Sequence, residues 1–141
     1  MQSHYKILFI DDHAGLRDGI SLILSKHNSD YEFFNTDNKN EAISLLQNNP
    51  DIAAAIVDIN LSGENGLDLI IELRKIIPGL KVLVFTMFDD LLHVEYALKK
   101  NIQGYITKDS KIEDIEEALN LVLNGKLYYN KVATEMMHTM I

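Results

Sequence analysis

Five short apolar runs, at residues 5–10, 31–34, 52–57, 81–85 and 103–107, alternate with five stretches of helical spacing. This alternation constrains the chain more than any other feature. Each run has the length and apolarity of a buried strand. Between them, Leu16, Ile20, Ile23 and Leu24 share one helical face, as do Ala42, Ile43, Leu45 and Leu46. Leu67, Ile70, Ile71 and Arg74 form the third stretch, Leu91, Val94 and Leu98 the fourth, and Ile112, Ile115, Leu119 and Val122 the fifth. Strand and helix in strict turn, with nearly continuous apolar strands, imply an α/β fold: a doubly wound parallel sheet covered on both faces.

The boundaries are legible too. Asn38, with Glu41 three residues on, is a helix start, and Ser110-Lys111-Ile112-Glu113 matches a capping box. Asp89-Asp90 opens the fourth helix, and Gly63 and Gly66 mark a loop after the third strand. Pro50, Pro78-Gly79, Asn101 and Asn124-Gly125 close helices. Residues 126–141 stand apart from the alternation. Leu127-Tyr128-Tyr129 can pack back on the domain, and Val132, Met136 and Met140 recur at helical spacing. That stripe covers the domain's own surface, begins a linker helix, or meets a partner.

In a doubly wound sheet, ligands bind beyond the carboxyl ends of the strands. The residues closing the runs are therefore the informative ones: Asp11-Asp12, Asp58, Thr86 and Thr107-Lys108. Asp58 ends the apolar run AAAIV, where a carboxylate is costly unless something uses it. Three carboxylates at one edge repel one another. A hard divalent cation relieves this, and an oxygen-rich site with few protein ligands suits Mg²⁺ beside a phosphate. Lys108 and Thr86 can hold phosphoryl oxygens by charge and by hydrogen bond. Asp58 is then the nucleophile, and the expected chemistry is phosphoryl transfer to make an acyl phosphate. Each residue alone has a plainer reading: Asp11 or Asp12 as a helix cap, Thr86 as a strand-end threonine, Lys108 as a solvated lysine, Tyr105 as core.

Bulk properties exclude several other classes. A chain of 141 residues makes one domain. It has no apolar run long enough for a membrane span and no signal-peptide pattern. The absence of cysteine removes disulfides and thiolate metal sites and fits a cytoplasmic location. A net charge of -8, without clustered Lys and Arg, argues against direct DNA or RNA binding. The five histidines are scattered without metal spacing and are expected to have no role. GxGxxG and GxxxxGKS are both absent.

With FIDDH at 9–13, IVDINLSGENGLDLI at 56–70, VLVFTMF at 82–88 and GYITKDS at 104–110, the chain resembles the receiver domain of two-component response regulators. The likeness covers residues 4–125. It implies a flavodoxin-like, five-stranded sheet of order 2-1-3-4-5, with about five helices on its two faces. It implies Asp58 as phosphoacceptor and Asp11 and Asp12 as Mg²⁺ ligands with the Asn60 backbone carbonyl. It further implies Thr86 as switch hydroxyl, Tyr105 as switch aromatic and Lys108 as the family's lysine. Ser62 and Asp109 stand where many receivers have proline. Lys108-Asp109 and its lead-in resemble the subgroup with a LuxR-type helix-turn-helix output domain.

The resemblance implies a receiver at 1–125 and an extension or start of a linker at 126–141, with the output domain absent. Excision from a longer protein is expected over a stand-alone receiver. The implied partners are a sensor histidine kinase and a second copy on phosphorylation, with DNA reached only through the missing domain. Phe88, two residues beyond Thr86, is expected to slow water attack on the acyl phosphate. Among rivals, a Mg²⁺-dependent phosphohydrolase usually has an acid where Asn60 stands. A flavin module needs a glycine- and hydroxyl-rich loop where Asp11-Asp12 stand. A receiver acting only by protein contacts needs none of these groups.

Overall fold

The computed structural model describes residues 4–61, 64–87 and 91–140. Ser62, Gly63, Phe88, Asp89, Asp90 and the side chain of Leu91 lie outside the described residues. The chain runs β1 (Tyr5–Ile10), α1 (Ala14–His27), β2 (Tyr31–Thr36), α2 (Lys39–Asn48), β3 (Ile52–Val57), β4 (Asn60–Leu61), β5 (Glu64–Asn65) and α3 (Gly66–Ile76). It continues through β6 (Lys81–Thr86), α4 (Leu91–Leu98), β7 (Gly104–Thr107), α5 (Ile112–Leu123), β8 (Tyr128–Tyr129) and α6 (Lys131–Met140).

The main sheet is parallel, in the order β2-β1-β3-β6-β7-β8. Its first five strands are the five apolar runs in the expected 2-1-3-4-5 order. The five-stranded expectation is corrected by β8, which adds a sixth strand beside β7, pairing Gly104 with Tyr128 and Tyr105 with Tyr129. The small antiparallel pair β4–β5 was also not expected. Two residues are too short a run to show a period, so neither element was legible in the sequence.

Alternating side chains divide the core. Leu8, Ile10, Ala55, Val57, Val82, Val84 and Tyr105 face one cluster, shared with α2, α3, α4 and α6. Ile7, Phe9, Ala54, Ile56, Leu83, Phe85 and Ile106 face the other, shared with α1 and α5. Each strand side chain so buried contributes about 1.5–3 kcal/mol when it is a Val, Leu, Ile or Phe. The winding therefore reverses between β1 and β3, and their carboxyl ends meet at that point.

The helix boundaries largely follow the sequence signals. Asn38 Oδ1 accepts from the Glu41 N–H at 2.8 Å and caps α2. Asn101 and Gly125, at φ 54° and 80°, take the left-handed conformation that ends a helix. The capping box at Ser110 does not form. Ser110 donates its N–H to the Thr107 carbonyl at 3.0 Å in a turn, and α5 begins one residue later, with Lys111 at its N-cap and no side-chain cap. Gly66 is not a loop glycine. It is the first residue of α3, where a Cβ would collide with the Asp58 carbonyl oxygen and the Ile59 Cα.

The tail is part of the fold. Ala133 is fully buried, and Val132, Met136 and Met137 pack against the cluster that contains Val94, Ala97, Leu98 and Tyr105. The Tyr129 hydroxyl donates to the Ile102 carbonyl at 2.8 Å. Of the stripe, Val132 and Met136 cover the domain's own surface, while Met140 is exposed.

Candidate functional site

The residue after β3 continues the ladder: the Asp58 N–H donates to the Ile10 carbonyl at 3.0 Å. This fixes Asp58 beside the end of β1, where Asp11 donates its own N–H to the Thr36 carbonyl at 3.0 Å. Both acids are nearly inaccessible, Asp11 at 0% exposure and Asp58 at 2%. Two buried carboxylates demand compensation, and Lys108 supplies it. Its N–H donates to the Thr86 carbonyl at 2.8 Å, which registers β7 against β6 and turns the side chain toward the acids. The Lys108 Nζ donates to Asp58 Oδ2 at 2.8 Å and to Asp11 Oδ1 at 2.9 Å. Asp11 Oδ2 is also 2.9 Å away, but off the bonding direction.

Each carboxylate has one further backbone donor. The Asn60 N–H bonds Asp58 Oδ1 at 2.9 Å, and the His13 N–H bonds Asp11 Oδ1 at 2.8 Å. Neither Asp11 nor Asp12 caps α1; the N-cap position is His13, which makes no side-chain cap bond. Burial pushes the Asp58 carboxyl above its ordinary value, the Lys108 and Asn60 hydrogen bonds pull it down, and the Asp11 charge adds to the rise.

Asp11, Asp12 and Asp58 are brought together with Lys108, as expected from the strand ends. One ligand atom from each of Asp11, Asp12, His13 and Asp58 lies within 4.8 Å of the others. Thr86 is fully buried at the end of β6, in register with Thr107. Tyr105 pairs with Val84, two residues before Thr86, and is also fully buried. With a period of two, Thr86 and Tyr105 project from the same face of neighbouring strands.

Two residues escaped the sequence reading. His13 stands in the site rather than apart from it: its Nδ1 is 2.6 Å from Lys108 Nζ, 3.3 Å from Asp11 Oδ1 and 3.6 Å from Asp12 Oδ1. Adjacency to Asp11-Asp12 was the available signal. Arg17 is buried and donates from Nη1 to the Asp11 carbonyl at 2.8 Å. Its helical spacing from His13 gave no hint of that contact.

Comparison with known proteins agrees with this geometry. The response regulator receiver domain family matches residues 7–120. The oxygen regulatory protein NreC of Staphylococcus epidermidis is 33% identical over 140 residues, covering 96% of this chain and 63% of NreC. The transcriptional regulatory protein DegU of Brevibacillus brevis is 29% identical, covering 94% of this chain and 56% of DegU. The chain thus spans less than two thirds of these relatives. Among solved structures, a LuxR-family DNA-binding response regulator from Staphylococcus aureus superposes with TM-score 0.76 at 28% identity, covering 85% of this chain and 99% of that one. A LuxR-family response regulator from an Aurantimonas species shares the fold with TM-score 0.84 at 22% identity, over 97% of this chain and 98% of that one. Phosphorylation-dependent signalling is the general function of such domains, and the chain belongs to the receiver domain family of two-component response regulators.

Proposed function

We propose that this receiver takes a phosphoryl group onto Asp58 from a partner histidine kinase. The observation that carries the reading is the buried Asp58 carboxylate with the Lys108 ammonium 2.8 Å from Oδ2. An Asp58 oxygen attacks phosphorus, and the bond from phosphorus to the donor imidazole nitrogen breaks. The electron pair stays on that nitrogen. Lys108 offsets the charge gathering on the phosphoryl oxygens, and the Thr86 hydroxyl donates to one of them. The chain is a signalling domain rather than an enzyme. It loses the group again when water attacks phosphorus, releasing phosphate and restoring the carboxylate.

Receiver domains bind Mg²⁺ at their acidic pocket, and the donor set here fits that ion. Asp11 Oδ2 is buried and accepts no hydrogen bond, so it has a lone pair to give. The carboxylates are hard oxygen ligands clustered within 4.8 Å. Asp11, Asp12, Asp58 and the Asn60 backbone carbonyl are the residues that would hold it. When bound, Mg²⁺ supplies positive charge against the three carboxylates and the incoming phosphoryl group.

Thr86 and Tyr105 form the switch in this reading. A hydroxyl drawn toward the phosphoryl group changes the space beside the Tyr105 ring, which shares its face. Homodimerisation and a LuxR-type DNA-binding domain outside these residues complete the output. The motif likeness and the LuxR-family neighbours support that part.

Intact mass after incubation with a small acyl phosphate tests the core of the proposal. One phosphoryl adduct is expected, requiring Mg²⁺ and absent from Asp58→Ala. An adduct on Asp58→Ala would move the site. No adduct under any condition would leave a domain acting through protein contacts alone.

A further inference from the structure

We propose that His13 is a positioning residue for Lys108, holding the ammonium in place while its carboxylate partners are engaged elsewhere. The inference rests on the phosphoryl-transfer reading of Asp58. An ammonium has three protons and no lone pair. Lys108 Nζ has three acceptors in reach: Asp58 Oδ2 at 2.8 Å, Asp11 Oδ1 at 2.9 Å and His13 Nδ1 at 2.6 Å. An ammonium can only donate, so the 2.6 Å contact is a hydrogen bond in which His13 Nδ1 is the acceptor.

The three acceptors have different duties. Asp11 is a candidate cation ligand, and Asp58 is the proposed nucleophile. Once both are engaged, two of the three bonds to Lys108 are weakened together. His13 is outside the group assigned to the cation above, Asp11, Asp12, Asp58 and the Asn60 carbonyl, although its ring lies beside it. Its Nδ1 points closer to Lys108 than to either neighbouring acid, which lie at 3.3 Å and 3.6 Å. Its backbone is anchored twice: its N–H bonds Asp11 Oδ1 at 2.8 Å and its carbonyl accepts from the Arg17 N–H at 2.9 Å. The Lys108 side chain is only 6% exposed, whereas that of His13 is 54% exposed. The imidazole can therefore be replaced without opening the core.

Wild type, His13→Ala and His13→Asn separate the possibilities, because an Asn carbonyl oxygen can take the place of Nδ1. The Lys108 ammonium signal in a ¹⁵N-labelled sample, identified by its loss in Lys108→Arg, reads the positioning directly without any phosphodonor. It is expected to be sharp in wild type, broadened by solvent exchange in His13→Ala, and sharp again in His13→Asn. At saturating Mg²⁺, phosphorylation of His13→Ala by a small acyl phosphate is expected to slow by about tenfold, the effect of one charge-assisted hydrogen bond. His13→Asn should recover most of that rate, and calorimetric Mg²⁺ affinity should change by less than about twofold, since no bond to the ion is removed. An unchanged ammonium signal in His13→Ala overturns the proposal. So does a Mg²⁺ affinity that falls as far as the rate, which would make His13 a metal contact. If wild type takes no phosphoryl group, the reading of Asp58 fails, and the ammonium signal still decides whether His13 holds Lys108.

Discussion

A buried acid that must stay reactive carries a stability cost. At Asp58, burial raises the carboxyl's affinity for its proton above the ordinary value of 3.8, and Lys108 offsets that only in part. Between the ordinary and the raised value, the folded chain binds more protons than the unfolded one. Stability from this group is therefore fully present below the ordinary value and is lost as pH rises through the raised one. At neutral pH the ionised Asp58 weakens the fold. Asp58→Asn keeps the shape and an acceptor for Lys108 but carries no charge. It should melt at a higher temperature than wild type at pH 7, with the gap closing as pH falls toward about 4, the ordinary carboxylate range. Thermal unfolding across that range checks this; a variant no more stable than wild type at pH 7 would refute the stated cost. The residues that form the site were legible because each closes an apolar run. His13 was not, because one imidazole beside two acids has no spacing to betray it. Gly66 was missed for a related reason: its constraint is the approach of the Asp58 and Ile59 backbone, which sequence does not display.

Arg74 shows how elements far from the site are locked to it. From α3 it donates through Nη1 to the Lys100 carbonyl, through Nη2 to the Asn101 carbonyl at 2.9 Å, and through Nε to the Leu80 carbonyl at 3.3 Å. Nη2 also reaches Gln103 Oε1 at 3.1 Å, and the same Gln103 oxygen accepts the Val82 N–H at 2.8 Å. One guanidinium thus joins α3 to the end of α4 and to the entry of β7. Sequence periodicity placed Arg74 on the third helix, but a charged residue in an amphipathic stripe reads as solvated. Arg74→Leu keeps most of the apolar stem and removes every donor. It should destabilise the domain by about 2 kcal/mol, the range for losing hydrogen bonds to a charged group. Chemical denaturation would show this as a lower midpoint at unchanged slope; an unchanged midpoint would mean that these carbonyls are equally well served by water. The long strands and helices were read correctly because periodicity and stop signals agree over many residues. β8 fails that test, having two residues and no period, and the tail's helical stripe could not name its own partner.

At the scale of the molecule, Tyr105 lies on β7, between β6, which carries Thr86, and β8, which leads into α6. Its ring is buried in the cluster that contains Ala133 of α6, and its carbonyl accepts the Asn130 N–H at 2.9 Å. The fold thus gives the proposed switch residue a direct mechanical neighbour, only two strands from the Asp58 ladder. If a phosphoryl group on Asp58 changes the setting of Tyr105 through Thr86, it must also change the docking of α6 on α4. Linkage makes the effect reciprocal: whatever factor the phosphoryl group takes from docking, undocking returns to phosphoryl binding. A phosphoryl group that displaces the Tyr105 ring disturbs the cluster it shares with α6 and so loosens this docking, which sets the sign. Beryllofluoride, a phosphoryl mimic, should speed hydrogen exchange of the amides in 131–140 by at least about fivefold, the lower range of such couplings. The double variant Val132→Ser, Met136→Ser removes apolar contacts of α6 and leaves the sheet intact. It should bind beryllofluoride more tightly by the same factor. Unchanged exchange together with unchanged affinity would show that α6 is a passive cover. A change in one without the other would break the linkage and place the signal on a route that does not pass through Tyr105.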